Sequence, residues 1–317
     1  MRTITLIKVA LFLILAAIVA MGVAYGLALI RETRAPESDP PEGGRFVETA
    51  EGPVHVLEWG DPDDRTLLLL HGTGAWAGLW APTGEALAAE GFHVVAMDLP
   101  PFGFTPRRPG ADYARPAQAA RVLALAEVLE GPVLVAHSVG AGPGAAALLR
   151  EPEAFDGAVL VAGAIGLGAS APPPLPRMLR RGLSALLVTN PAFTERWLRL
   201  FVHRDEVVTE EMVEMLQEPL RGIGLTDAVA EWLPTLLGAG PGEVSRREET
   251  WEGHEGPVAL IWGEEDGVTP PEDAERLDGL LRDSRLAVLP GVGHIPQIED
   301  PEAFRAALLE ALEWLER

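Results

Sequence analysis

The chain has 317 residues, 48% of them hydrophobic, which is enough for one large α/β domain with an insertion or for two small domains. It contains no cysteine, which excludes disulfides, thiolate metal sites and a thiol nucleophile. Its formal net charge is −22, with Lys8 as the only lysine, so the surface repels phosphate backbones; this argues against nucleic acid as a partner and against polyanionic substrates.

The first element is Val9 to Ile30, "VALFLILAAIVAMGVAYGLALI", which carries no charge. As a helix it spans about 33 Å, the thickness of a bilayer core. It reads as an uncleaved anchor (residues 1–34, membrane span about 9–30) rather than a secretory signal, whose apolar region is shorter. Arg2 and Lys8 precede it and Arg31 and Arg34 follow it, so charge fixes its orientation only weakly. The expected arrangement is a cytoplasmic N-terminus, an exported catalytic domain and a lipid bilayer as partner through this helix. "APESDPPEGG", residues 35–44, reads as a solvated linker, which leaves the anchor outside the fold.

"FVETAEGPVHVLEWG" follows with the pattern of a β-hairpin. "RTLLLLHG", "FHVVAMDLP", "GPVLVAHS", "GAVLVAGAIG", "GPVALIWGEED" and "SRLAVLPGVGH" are apolar runs of the kind that form buried parallel strands. Helical patterns separate them, among them "RPAQAARVLALAEVLEG" and the final "PEAFRAALLEALEWLER". Strands alternating with helices predict an α/β fold, a mostly parallel sheet covered on both faces. The alternation fails over residues 170–247, which hold no strand-like run and carry Phe193, Trp197, Phe201, Met212, Met215 and Trp232 at helical spacing. That stretch predicts a helical cap, dividing the core into residues 45–169 and 248–317, and its position suggests a lid.

In open α/β sheets ligands bind beyond the C-terminal ends of the strands. The residues there are "HGTG" (71–74), "DLPPFGFT" (98–105), "HSVGAG" (137–142), "GEEDGVTP" (263–270) and "PGVGHIPQIEDP" (290–301). A serine, an acid and a histidine fall at strand ends in that chain order. His55, His93, His203 and His254 lack metal-ligand spacing, and no dinucleotide fingerprint is present, so no metal and no cofactor is implied.

These motifs resemble the α/β-hydrolase fold over about residues 45–317. "AHSVG" is similar to that fold's strand–turn–helix nucleophile elbow, with Ala136 where the first glycine usually stands. The resemblance implies an eight-stranded sheet, a cap inserted after the sixth strand, and roles for five residues. Ser138 would be the nucleophile, His294 the general base and Asp266 the acid that orients it, with Glu264 and Glu265 as less suited rivals. The backbone N–H groups of Thr73 and Val139 would form the oxyanion hole. His71 and Asp98 would shape and brace the neighbouring loops, and His137 would serve the fold. A serine at the elbow implies attack on a carbonyl. The apolar cap suggests a small to medium hydrophobic ester as substrate. "HGTGAWAGLW" and "DLPPFGFT" also resemble a set of hydrolases that includes C–C hydrolases and accessory proteins of pigment synthesis. C–C hydrolysis is the alternative, with Arg196 or Arg199 of the cap as a carboxylate clamp; a membrane-bound accessory or ligand-binding protein is the non-enzymatic one. The sequence leaves the oligomeric state open.

Overall fold

The computed structural model describes residues 2–35, 41–108, 110–168, 175–237 and 243–317. An apolar helix, α1 (Arg2–Arg31), comes first, followed by the hairpin β1 (Gly44–Thr49) and β2 (Gly52–Trp59). The alternating part then runs β3 (Arg65–Leu70), α2 (Ala81–Ala89), β4 (Phe92–Met97), α3 (Arg115–Val128), β5 (Val133–His137), α4 (Ala141–Arg150) and β6 (Ala158–Val161). Four helices of the cap follow: α5 (Arg177–Leu183), α6 (Thr194–Phe201), α7 (Glu210–Gln217) and α8 (Leu225–Leu237). The chain closes with α9 (Glu248–Glu252), β7 (Val258–Gly263), α10 (Pro271–Asp278), β8 (Ser284–Leu289), α11 (Pro296–Glu299) and α12 (Pro301–Leu315).

The strands form one sheet of eight in the order β1-β2-β4-β3-β5-β6-β7-β8. The first hairpin and the β2–β4 pair are antiparallel, and the remaining pairs are parallel. The central strands are buried on both faces, which explains why they read as continuous apolar runs. Their side chains still alternate: Leu68, Leu70, Leu134, Ala136, Leu260 and Trp262 pack on one side of the sheet. Leu67, Leu69, Val133, Val135, Ala259 and Ile261 pack on the other, with Trp80 and Phe304.

The helical insertion stands where the sequence put it, between β6 and β7, and no strand occurs there among the described residues. Residues 170–174 and 238–242 of it lie outside the described residues, as does half of the expected linker. Gly44, expected in that linker, is instead the first residue of β1, opposite Leu57.

One expectation needs correction. α1 is long and apolar enough to cross a membrane, and its apolar side chains are largely exposed. Its C-terminal end is not detached from the fold, however. Tyr25 donates a hydrogen bond to Asp227, Arg31 to the Leu220 carbonyl, and Glu32 accepts from the Thr226 amide. Hydrophobic patterning identifies a span but is blind to a few polar side chains at its end that find partners far along the chain.

Candidate active site

β5 ends at His137, and Ser138 makes the turn into α4 with φ +52°, a left-handed conformation that costs a side-chain-bearing residue roughly 1 kcal/mol or more. Small neighbours make the turn feasible. A Cβ at Gly140 would lie 2.4 Å from the His71 carbonyl oxygen, and one at Gly72 would lie 2.9 Å from Ser138 Cβ. Ala136, the departure from the usual glycine, is accommodated by Gly144 on α4, where an added Cβ would sit 3.1 Å from that of Ala136.

Three side chains meet at this turn. Ser138 Oγ lies 2.8 Å from His294 Nε2, and His294 Nδ1 lies 2.8 Å from Asp266 Oδ2. All three are buried. Asp266 Oδ1 accepts from the amides of Val268 and Thr269, and Oδ2 accepts from the Thr269 hydroxyl at 2.8 Å. Burial pushes this carboxyl up, but the hydrogen bond and charge of His294 and the two amides outweigh it and hold Asp266 below its ordinary value. The rivals are elsewhere: Glu264 is exposed and accepts from the Gly291 amide, and Glu265 is exposed. Asp266 is therefore the acid that reaches His294.

The expected oxyanion residues flank the same hydroxyl. Val139 follows Ser138 directly, and Thr73 follows Gly72, where an added Cβ would be 3.3 Å from Ser138 Oγ. His71 fixes that loop by donating from Nδ1 to the Gly72 carbonyl and accepting the Leu99 amide on Nε2. Full burial pushes its pKa down, so the neutral ring these bonds require is the stable form. Asp98 holds the loops on either side. Its carboxylate accepts from the amides of Ala77 and Phe104 and from His55 Nδ1. Gly103 (φ +67°) leaves room for it, since a Cβ there would lie 2.1 Å from Asp98 Cγ.

His137 does not join the Ser138–His294–Asp266 chain. Its Nε2 donates to the His294 carbonyl at 2.9 Å and its ring meets Trp80 edge-on. Burial first, and the neighbouring His294 second, push its pKa down to about 3.

Two positioning residues carry no signal in the sequence. Glu299 is buried; its carboxylate accepts the amides of Gly293 and Ile295 on either side of His294, and those of His203 and Arg204 from the cap. The His294 amide itself donates to the Phe201 carbonyl at the end of α6, so the histidine loop and the cap are fastened together. Arg115 bonds the carbonyls of Ala164 and Ile165, and the Ala164 amide bonds the Ser138 carbonyl. Burial pushes the Arg115 pKa down to about 10, which leaves it cationic at neutral pH. An acid five residues after a histidine, or an arginine at a helix start, reads as surface charge until the fold buries it.

A cavity of about 210 Å³ adjoins the site. Thr73, Gly74 and Ala75 form its floor, and Val188, Trp197, Leu198, Phe201, Leu216, Leu220 and Leu236 enclose it from the cap. A second space of about 60 Å³ lies on the other side of Gly72 and Val139 and includes Phe102, Tyr113 and Arg115. Neither Arg196 nor Arg199 lines either cavity, and Arg199 is paired with Glu195 and Asp205 on the outer surface of α6. The expected cap clamp is thus not in place for Arg199, and the cationic group beside the site is Arg115.

Comparison with known proteins gives a consistent picture. Residues 65–301 match the α/β-hydrolase fold family. The chain is 28% identical over 295 residues to LipZ of Mycobacterium tuberculosis, which is named as a hydrolase, covering 86% of this chain and 96% of that one. It is 26% identical over 282 residues to 2-hydroxymuconate semialdehyde hydrolase of a Pseudomonas species, covering 85% and 93%. Among solved structures it resembles a membrane phospholipase A described as a bacterial virulence factor, with TM-score 0.70, 24% identity and complete coverage of both chains, a likeness of fold. With the family matched over most of its length and the fold in agreement, this chain belongs to the α/β-hydrolase fold family and is a hydrolase.

Proposed function

We propose that the protein is a membrane-anchored serine hydrolase that cleaves carboxylic esters of hydrophobic, small to medium substrates through an acyl-enzyme. Ser138 Oγ attacks the ester carbonyl while His294 Nε2 takes its proton. Asp266 holds the imidazole and stabilises its charged form. The developing oxyanion is received by the backbone N–H groups of Val139 and Thr73. His294 then returns the proton to the departing alcohol. A water activated by the same imidazole hydrolyses the acyl-enzyme. In this reading α1 (within residues 1–34) is the anchor, residues 170–247 form the cap, and the catalytic domain lies on the extracytoplasmic side.

The observation that carries the reading is the hydrogen-bonded chain Ser138–His294–Asp266 next to an apolar cavity whose floor includes Thr73. C–C hydrolysis is the less favoured reading: Arg115, the cation lining the smaller space beside the site, is already committed to the Ala164 and Ile165 carbonyls. The test is a fluorophosphonate probe on the full-length protein, followed by peptide mass spectrometry and an ester panel of increasing acyl length. Labelling at Ser138 that disappears in His294→Ala, with turnover of apolar esters, is the expected result. A folded protein that stays unlabelled at Ser138 and cleaves no ester overturns the proposal.

A further inference from the structure

A helix that merely tethers a domain needs no specific bonds to it. The end of α1 and the residues just after it make several, nearly all of them to the cap, while Arg34 also sits over the Phe104 ring of the core. Tyr25 Oη donates to Asp227 Oδ1 at 2.7 Å, while Arg181 of α5 bonds the other oxygen of that carboxylate and sits over the Tyr25 ring. Gly182 of α5 faces Met21 so closely that a Cβ there would lie 2.7 Å from Met21 Cβ. Arg31 Nε donates to the Leu220 carbonyl at 2.9 Å. Glu32 Oε1 accepts the Thr226 amide at 3.0 Å. The chain leaving the helix then lies beside the cap in a short parallel bridge, with the Arg34 amide on the Arg221 carbonyl and the Ile223 amide on the Arg34 carbonyl.

These bonds fix where the cap sits relative to a membrane crossed by α1. At about 1.5 Å per residue, Met21 lies about 15 Å inside a span that ends at Arg31, so α5 enters the leaflet beside α1, while Tyr25 to Arg34 lies in its outer part. Tyrosine and arginine are the residues expected at that depth. The cap exposes large apolar side chains close to this junction: Met178, 69% exposed, on α5 beside α1, and Ile223, 51% exposed, directly after the bridge. Leu200 on α6 is 61% exposed. Trp197 and Leu236 are each more than a third exposed and also line the cavity at the active site. Leu220 joins the two features, since its carbonyl is held by Arg31 and it lines that same cavity.

We propose that this apolar rim of the cap is a lipid-docking surface. The cap is seated against and partly within the leaflet that α1 crosses, and the substrate enters laterally from that leaflet, past Leu220 and Trp197, into the cavity above Thr73. The substrate class is therefore an ester whose acyl chain resides in the membrane rather than one dissolved in water. Its headgroup is uncharged or zwitterionic, in keeping with the acidic surface of the chain. The proposal rests on α1 being a membrane span and on Ser138 being the centre of an ester hydrolase.

The absence of native cysteine allows a direct test on the full-length chain in phosphatidylcholine vesicles doped with a long-chain diacylglycerol. Single substitutions Met178→Cys, Leu200→Cys and Ile223→Cys carry an environment-sensitive fluorophore, and Val288→Cys, on the exposed strand β8, is the control. Quenching by nitroxide-bearing lipid several-fold stronger at the three cap positions than at 288 is expected. Equal quenching at all four positions overturns the docking surface. So does disulfide cross-linking of the unlabelled cap cysteines between two chains at high dilution in lipid, which would make a second copy the occupant. In a second arm, Met178→Asp, Leu200→Asp and Ile223→Asp are combined. Hydrolysis of the vesicle-borne diacylglycerol is expected to fall about tenfold, each carboxylate at interfacial depth weakening docking a few-fold, while a water-soluble butyrate ester is cleaved as before. An equal fall on both esters, or on neither, overturns lateral entry. Absence of all ester hydrolysis with the quenching pattern intact overturns the catalytic reading and leaves the surface standing.

Discussion

Ser138 at φ +52° shows how a single residue can be held in a conformation chosen for reach rather than for stability. The left-handed backbone lifts Oγ clear of the strand and sets it 2.8 Å from His294 Nε2. The cost of that conformation falls on any residue with a Cβ and vanishes for glycine. Both Ser138→Gly and Ser138→Ala are expected to abolish turnover and probe labelling. In denaturant titration Ser138→Gly is expected to be the more stable of the two by about 1 kcal/mol, despite glycine's greater freedom when unfolded. If alanine is equal or better, the turn is not strained and the small residues around it need another explanation. Glu299 makes a different point. Its two oxygens receive four backbone amides, two from the histidine loop and two from the cap. Glu299→Gln keeps the shape but turns an N–H₂ group towards donors. A stability loss of about 2 kcal/mol is expected for the amides left without an acceptor. With His294 less firmly placed, kcat is expected to fall about tenfold with KM little changed. A variant that loses stability but keeps kcat would reduce Glu299 to a structural clamp.

At the scale of elements, the site is a set of strand ends brought to one edge of the sheet, held apart by glycines where backbones approach. Gly140 is one of these. A Cβ there would press into the His71 carbonyl oxygen at 2.4 Å, and because the obstacle is backbone, the loop itself has to move. Gly140→Ala is expected to destabilise the protein by about 2 kcal/mol or more and to depress turnover of every ester alike, since the loop that moves carries Thr73. Wild-type stability in a thermal melt would refute the close approach. Much of this level is legible in the sequence. Parallel strands buried on both faces leave unbroken apolar runs, and the serine, acid and histidine stand at the ends of such runs. The layout of β3, β5 and β7 follows from that, and the choice of Ser138, Asp266 and His294 among the residues there follows from the resemblance to the α/β-hydrolase fold, before any distance is known. What is not legible is whatever depends on burial between distant segments. Glu299 and Arg115 look like surface charges because nothing in their neighbourhoods reveals that the fold closes over them. Tyr25, Glu32 and Arg34 look like the end of an anchor because their partners lie about 190 to 200 residues away, in a cap whose helices have no period linking them to α1.

At the scale of the whole molecule, the buried histidines set how the protein answers acid. His137 and His71 are both fully enclosed and held neutral, His137 with its pKa pushed down to about 3 from an ordinary 6.5. The sign follows from proton binding. Below pH 6.5 the unfolded chain takes up protons on these rings that the folded chain refuses, so the unfolded state binds more protons and stability falls as the pH falls. His137, neutral throughout this range, contributes a loss approaching 1.4 kcal/mol per pH unit, or about 2 kcal/mol between pH 6.5 and pH 5, and His71 adds to it in the same direction. Asp266 acts in the same direction but at lower pH. Its folded value lies below the unfolded 3.8, so the stability it contributes is complete above that value and is lost as the pH falls through the folded value. Glu32 opposes them: burial, partly offset by its bonds to Thr226, raises its carboxyl above the ordinary 4.5, so protonating it relieves a cost in the folded state. Asp273, whose carboxyl burial also raises, opposes them in the same way, while His254, lowered by burial, adds to the loss. The melting temperature of the full-length protein is therefore expected to fall steadily from pH 7 to pH 5, well before general carboxylate protonation. His137→Gln, whose amide can still donate to the His294 carbonyl, is expected to remove a large part of that slope while leaving a folded protein at pH 7. A melting temperature that is flat to pH 5 in the wild type, or an unchanged slope in His137→Gln, would show that the ring at 137 is protonated in the folded state and that its bond to His294 does not depend on neutrality.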